Sequence, residues 1–410
     1  MVTAKSRQGS DGSGPLVGIR ILDFSSVVMG PYATMILANL GADIIKVEAP
    51  NGDVMRQVGP MKNPGMGQSF LHTNRGKRSI SLDLKHPKGQ KAALRLAADA
   101  DVVVSNMRPA ALSRLGLDYE SVRHVNPSVV FATAVGYGSS GRYAGQPAYD
   151  DLIQGITGIP SLVLESGVAQ PRYLPTPIAD RAVGLYLSGM ISAALFHRER
   201  TGEGQSVEVP MFEVLSQFVL GDHMGGLTYD PQIGPPHYAR LISGDRRPYR
   251  SKDGYVCVLI YTDRNWKSFL ELIGQPERFE SDERFSSHRN RSENIDYVYS
   301  VVSDEIEKKT TAEWLSIFAE NDIPATVMHS ISTLIDDDHL ADVGFFEWVS
   351  HPTEGIIRTM AAPETWSKTP SSARGHAPTL GENTAEILSE IGMKQSEIEE
   401  ALSAWAFQQS

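Results

Sequence analysis

Asp180 is the residue whose type and setting point most directly to chemistry. It follows a breaker-rich loop, Pro171-Arg-Tyr-Leu-Pro-Thr-Pro-Ile-Ala, and opens a long apolar stretch over residues 181–197. A carboxylate at the N-terminal end of a helix lies near unpaired amide donors and the positive end of the dipole. Two readings follow. One is an ordinary Asp N-cap, worth roughly 1 kcal/mol. The other is a carboxylate kept ionised by the helix and used as a nucleophile. A second feature, Gly136-Tyr-Gly-Ser-Ser-Gly141, matches G-x-G-x-x-G after a strand. It continues Arg142-Tyr-Ala-Gly-Gln-Pro instead of opening a helix, so a dinucleotide site is not supported. A Gly-rich loop at the carboxyl end of a strand fits better, with backbone amides for an oxyanion.

Two basic segments could bind anions. Asn74-Arg-Gly-Lys-Arg-Ser, with Lys85, carries the charge to hold phosphates. Arg240, Arg246, Arg247 and Arg250 could pair with a substrate carboxylate, or form a solvated face or a subunit contact. The sequence has no G-x-x-x-x-G-K-[ST], H-E-x-x-H or G-x-S-x-G, and its eleven histidines are scattered. Metal and Ser–His chemistry therefore find little support, and no metal site is expected.

These residues must be positioned by a recognisable alternation. Residues 17–24, 43–48, 78–84, 101–106 and 128–135 read as short β-branched strands, with helices over 30–41 and 87–100. Strands spaced by helices predict a parallel sheet covered on both faces. The helix after Asp180 carries a stripe, Val183, Leu187, Ile191 and Leu195, that buries one face. Its Gly184, Ser188, Gly189 and Ala193 permit close neighbours. A strand over 205–210 follows. Residues 228–236 read as a linker, and a strand over 255–261 with helices over 265–274, 294–309 and 311–321 as a smaller α+β domain. Residues 350–379 read as an extended wrap-around connection, and 382–392 and 395–405 as closing helices.

The chain of 410 residues has ordinary globular composition and a net charge of −11, which argues against nucleic acid as a main partner. No apolar run reaches the ~20 residues of a membrane span, so no membrane partner is expected. The single Cys257 excludes an intrachain disulfide and suggests a reducing, cytoplasmic setting. Within a strand pattern, it reads as a buried small hydrophobe. Residues 1–14 are polar and read as a disordered tail.

Several stretches together resemble family III CoA-transferases, the CaiB/BaiF group that also contains α-methylacyl-CoA racemases. They include Leu-Val-Gly-Ile-Arg-Ile-Leu-Asp at 16–23, Gly30-Pro-Tyr-Ala-Thr, and Leu-Gly-Ala-Asp-Ile-Ile-Lys-Val-Glu at 40–48. Asn74-Arg-Gly-Lys-Arg-Ser-Ile-Ser-Leu-Asp-Leu-Lys, Asn106-Met-Arg-Pro and Ile178-Ala-Asp180 continue the match. So do Arg200-Thr-Gly-Glu-Gly-Gln-Ser-Val-Glu-Val, Lys252-Asp-Gly-Tyr and Ala377-Pro-Thr-Leu-Gly-Glu-Asn-Thr. The resemblance implies an α/β chain: a large doubly wound parallel-sheet domain plus a smaller α+β domain, in an interlocked homodimer. On that basis the large CoA-binding domain begins at 15–227, and 228–240 is a linker. The small domain occupies 241–330, and 331–410 wraps back to the large one.

The resemblance places Asp180 on the family's catalytic aspartate. CoA contacts of formyl-CoA transferase-like members map onto Val28, Met29, Ala49, Leu82, Asp83, Leu84, Lys85, Asn106, Met107, Arg108, Arg114, Val135, Gly136, Tyr137 and Gly138. Members handling formate or oxalate carry Gln at the Val28 position, Arg at Ala49 and Lys at Val135, so oxalate is disfavoured here. Racemases pair the aspartate with an upstream His–Asp dipeptide. Tyr149 and Asp150 stand there in this chain, and a phenol is a poor base near neutrality. The expected activity is CoA exchange between an acyl-CoA, succinyl-CoA being one candidate, and a free carboxylic acid. It would run through an aspartyl–acyl anhydride and an aspartyl-CoA thioester. CoA and acyl-CoA enter as substrates, with no tightly bound cofactor. A racemase and an acyl-CoA-binding subunit of a heteromeric transferase are the alternatives.

Overall fold

The structure, a computed structural model, describes residues 13–371 and 375–399. Most of the expected tail at 1–14, and the end of the closing helix at 400–405, lie outside the described residues. The fold separates into two units. The larger holds residues up to 157, 175–216 and those from 339 onward; the smaller holds 158–174 and 217–338.

In the larger unit the chain runs β1 (Arg20–Asp23), α1 (Met29–Asn39), β2 (Asp43–Glu48), α2 (Gln68–Asn74) and β3 (Arg78–Ser81). It continues with α3 (Pro87–Asp99), β4 (Val102–Ser105), α4 (Pro109–Leu115), α5 (Tyr119–Val125), β5 (Val130–Val135) and α6 (Asp150–Ile156). The short α7 (Ile159–Glu165) belongs to the smaller unit. Then come α8 (Ile178–Thr201), β6 (Gln205–Pro210) and α9 (Met211–His223). The six strands form one sheet in the order β3-β2-β1-β4-β5-β6, parallel throughout. Alternate strand residues Leu22, Ile45, Val103 and Phe131 pack under Ala92, Ala93 and Leu96 of α3 and Val122 of α5. Helices α1 and α8 pack together, contacting β1 and β5 respectively. Both faces are therefore covered, which is why the strands read as near-continuous apolar runs.

At 24 residues, with an 18-residue window of mean hydropathy 1.2, α8 is long and apolar enough to cross a membrane by length and composition alone, although Asp180 and Arg181 interrupt its apolar run. It packs instead on α1, β5 and β6.

The smaller unit carries an antiparallel sheet of β7 (Tyr249–Arg250), β8 (Tyr255–Val258) and β9 (Ala325–Val327) over an aromatic core of Trp266, Phe269, Phe285, Trp314 and Phe318. Thr262 and Thr310 form capping boxes that start the helices Asp263–Leu272 and Thr311–Glu320. Cys257 is half-buried on β8, not fully enclosed.

The expected extended stretch at 350–379 is in part a hairpin. Its strands are β10 (Phe346–His351) and β11 (Gly355–Met360), antiparallel, with Glu347 opposite Thr359. The helix Thr384–Glu390 returns to the sheet, where Ile387 and Leu388 join the α3 core.

Candidate active site

Helix α8 starts at Ile178 with Pro177 as its N-cap, so Asp180 is the third helical residue, not the cap. The capping reading is thereby corrected. The Asp180 amide is instead received by another carboxylate: Asp150 Oδ1, in the first turn of α6, accepts it at 3.0 Å. Asp150 Oδ2 accepts from Nε2 of the buried Gln154 at 2.6 Å. The stripe Val183, Leu187, Ile191 and Leu195 is buried as expected. A Cβ at Gly184 would come within 2.8 Å of the Met29 carbonyl oxygen and 3.1 Å of the Tyr32 ring. Only glycine lets α8 approach the start of α1 there. Asp180 lies one turn earlier, about 6 Å along the axis.

The Asp180 carboxyl is half-buried and has no hydrogen-bond donor among the described residues. Burial raises its pKa, the Asp150 charge adds to that, and Arg181 opposes it; the result is about 7. The helix therefore does not hold this acid ionised well below neutrality, contrary to the sequence expectation. In the sequence Asp150 is legible only as an alternative racemase partner. Its signal was the tandem Asp150-Asp151 opening a helix directly after Tyr149.

The loop from β1 to α1 is held from beneath by buried charges. Lys46 Nζ donates to the Ser25 carbonyl and to Asp53 Oδ2, each at 2.9 Å. Asp53 Oδ1 accepts from the Val27 amide at 3.3 Å. Val27 has φ +72°, a strained conformation for a β-branched residue. Asn106 fixes Ser26 from both sides, accepting at 3.0 Å and donating at 2.8 Å. Asp23 bonds Ser25, Thr34 and Lys77; burial alone would raise its pKa, but the Lys77 and Lys46 charges hold it below the usual carboxylate range.

The parallel topology gathers most of the mapped CoA contacts at the carboxyl end of the sheet. Val28 and Met29 are buried where α1 begins, and Ala49 is exposed after β2. After β3, Leu82 packs into the core, Asp83 and Leu84 are half-buried, and Lys85 is exposed. After β4, Asn106 and Met107 are half-buried and Arg108 is exposed. Arg114 is exposed in the last turn of α4. Val135, Gly136 and Tyr137 are half-buried and Gly138 is buried at the end of β5.

Three expectations about charged and polar groups change. In the 74–79 segment, Arg75 turns to Thr359, Lys77 to Asp23, and Arg78 to Asp43, Glu386 and Glu390. Lys77 and Arg78 are thus paired with carboxylates, and Arg75, though without one, is buried and not an exposed phosphate ligand. The Gly-rich loop does not offer idle amides either: Glu213 takes the Gly138 amide at 2.9 Å, Glu208 that of Ser139 at 2.8 Å, and the Gly138 carbonyl that of Gly141 at 3.1 Å. The four arginines do not act as one cluster. Arg240 bonds the Tyr299 hydroxyl at 2.7 Å, Arg247 pairs with Asp245 at 3.1 Å, and Arg246 and Arg250 are exposed.

A parallel sheet with ligand-binding loops at its carboxyl end, together with a half-buried acid of raised pKa, marks an α/β fold with a candidate active site. The family model for "CoA-transferase family III" matches residues 16–384, and the chain belongs to that family. It is 31% identical over 386 residues to the Mycobacterium tuberculosis protein Rv3272, named a probable fatty acyl-CoA transferase, covering 91% of this chain and 97% of that one. The crystal structure of Rv3272 superposes with a TM-score of 0.79 at 29% identity, covering 92% and 99% of the two chains. A succinate–glutarate CoA-transferase of Agrobacterium fabrum is 32% identical over 387 residues, covering 92% and 96%. A CaiB/BaiF family protein from Brucella suis gives a TM-score of 0.77 at 28% identity, covering 92% and 100%. The chain is thus a CoA-transferase whose substrates are an acyl-CoA and a carboxylic acid.

Proposed function

We propose that this chain transfers CoA from succinyl-CoA, or a similar acyl-CoA, to a free carboxylic acid, with Asp180 as the nucleophile. The observation that carries the reading is the Asp180 carboxyl, half-buried, without a hydrogen-bond donor and raised to about 7. A desolvated carboxylate whose conjugate acid is weak is a stronger nucleophile than an ordinary one. Its oxygen attacks the thioester carbonyl carbon, the C–S bond breaks, and an aspartyl–acyl anhydride and CoA thiolate result. The thiolate attacks the Asp180 carbonyl carbon and expels the donor acid as its carboxylate, leaving an aspartyl-CoA thioester. The acceptor carboxylate repeats both steps in reverse and regenerates Asp180.

CoA lies along the carboxyl end of the sheet in this reading. Lys85, Arg108 and Arg114 are exposed and have no ion-pair partner among the described residues, so they are the cations we assign to its phosphates. Val28, Met29, Ala49, 82–84, 106–107 and 135–138 complete the assigned contacts. The relative from Agrobacterium fabrum is named for succinate and glutarate, which favours a succinyl donor. Exposed Leu185, Tyr186 and Phe196 on α8 favour a chain that works as an interlocked homodimer. A single cysteine is in keeping with a cytoplasmic setting.

A racemase would need a second base opposite Asp180. Asp150 is engaged by the Asp180 amide and Gln154, and Tyr149 is 65% exposed. The test is mass spectrometry of the purified chain with succinyl-, acetyl- and 2-methylacyl-CoA in heavy water, with a panel of carboxylic acids. A new acyl-CoA matching an added acid is expected. Deuterium at the α-carbon without CoA exchange would replace this reading with the racemase, and no exchange by the chain alone would point to a missing partner subunit.

A further inference from the structure

Arg75 closes α2 as its C-cap and is only 7% exposed. Its guanidinium makes one hydrogen bond among the described residues, 3.0 Å to the neutral hydroxyl of Thr359 on β11. Burying a guanidinium with a single neutral acceptor is unfavourable, because most of its donors lose water and gain nothing. Arg56 shows the ordinary solution in the same unit. It is 2% exposed and grips both oxygens of Glu48 at 2.7 and 2.6 Å, with the Pro378 carbonyl at 3.1 Å. The carboxylate whose charge reaches Arg75 is Glu347, across the hairpin from Thr359; it is exposed and forms no ion pair with it.

A second cation, half-buried, also lacks an anionic partner. Arg181 follows Asp180 directly, and its guanidinium lies over the Tyr32 ring, 4.4 Å from the centroid, with no ion pair among the described residues. His72, three residues before Arg75 on α2, lies within reach of both arginine charges. Burial first, and then the Arg75 and Arg181 charges, hold its pKa below the usual imidazole value. It therefore adds a neutral ring that can donate one hydrogen bond without competing for the anion.

We infer that Arg75 and Arg181, with His72 beside them, receive the distal carboxylate of a dicarboxylic acyl group whose other carboxyl reacts at Asp180. This rests on the reading of Asp180 as the point of CoA transfer. The site selects by what it leaves unpaired: a bound dicarboxylate completes the Arg75 hydrogen bonding, whereas a monocarboxylate leaves the cation buried and alone. Arginine suits this role because its planar fork matches a carboxylate in two places.

The experiment measures kcat/KM for two acceptors of matched length, glutarate and its monomethyl ester, with one CoA donor. The wild-type protein is expected to favour glutarate at least about 30-fold, the usual range for an unpaired buried charge. Arg75→Gln should lose most of that preference by slowing glutarate about 30-fold while leaving the monoester within about 3-fold. Arg181→Gln should act in the same direction with a smaller effect. Equal losses for both acids, in variants with unchanged circular dichroism and Tm, would overturn the site. If Arg75→Gln fails to fold, a wild-type protein that accepts the monoester as readily as glutarate still refutes the proposal. Calorimetric binding of glutarate by a protein that transfers no CoA would sink the reaction and keep the anion site. Neither binding nor transfer would overturn both.

Discussion

Two groups of charges lie in the larger unit, and they are treated in opposite ways. Beneath the β1–α1 loop, Lys46 meets Asp53, Lys77 meets Asp23 and Arg56 meets Glu48, each within 3.2 Å and all nearly inaccessible. By contrast Asp180, its neighbour Arg181, and Arg75, whose charge reaches His72 together with that of Arg181, have no opposite charge within ion-pair distance among the described residues. Paired burial fixes a loop; unpaired burial leaves groups whose best partner is a substrate. Local charge count does not separate the two regions. What separates them is whether the fold itself completes each group's hydrogen bonds.

The largest test of that contrast is Asp180→Asn. Exchange should fall by about 10⁴-fold or more, as when an essential nucleophile is removed. Stability should move the other way. The folded-state pKa is raised to about 7, so the native state binds the extra proton, and stability falls as pH rises from about 4 through 7. Asn escapes that loss. At pH 8 the variant should be more stable by on the order of 1–2 kcal/mol, discounted because the group is partly exposed, and at pH 4 the two should match. Urea unfolding at both pH values reads this directly. A variant less stable than the parent at pH 8 would mean that Asp180 belongs with the paired charges.

Lys46→Met attacks the other region. It strips Asp53 of its cation and Ser25 of a donor, leaving a carboxylate buried and unpaired. The expected cost is about 3–5 kcal/mol of folding stability, measured by the urea midpoint. A loss below about 1 kcal/mol, the level of an exposed pair, would erase the distinction drawn here.

Much of this frame was legible in the sequence. The strands at Asp43–Glu48 and Gln205–Pro210 coincide with their β-branched runs, and the parallel sheet followed from strands spaced by helices. Asp180 was also legible as an acid near a helix start. Its environment was not, because the carboxylate that receives its amide comes from thirty residues earlier in the chain. The basic run at 74–78 shows the limit more sharply. Arg75 ends a helix and faces a hairpin residue 284 positions away, Lys77 points into the core, and Arg78 starts a strand beside acids from the C-terminal helix. Adjacent positions acquire three unrelated roles because a helix end and a strand start send successive side chains in different directions. The hairpin itself escaped notice: its strands are short and half-exposed, with no strong apolar alternation.

The smallest expected effect tests whether Asp150 tunes Asp180 or merely caps its helix. In the wild type the protonated Asp180 cannot attack, so kcat/KM should rise about tenfold per pH unit below 7 and level off above it. Burial is the first cause of the raised pKa and Asp150 the second, so removing the Asp150 charge should lower the midpoint without restoring the ordinary value. Asp150→Asn keeps one oxygen that can accept from the Asp180 amide, but its new N–H group then faces the Gln154 donor. The plateau rate should fall a few-fold, because a less basic carboxylate is a weaker nucleophile. The rate at pH 6 should fall less, since more of the acid is ionised there. Profiles from pH 5 to 9 for the two proteins separate the roles: a lower midpoint with a lower plateau means electrostatic tuning. A plateau that falls while the midpoint stays near 7 means that Asp150 only holds the amide of Asp180, and that burial alone sets the acid apart from its paired counterparts.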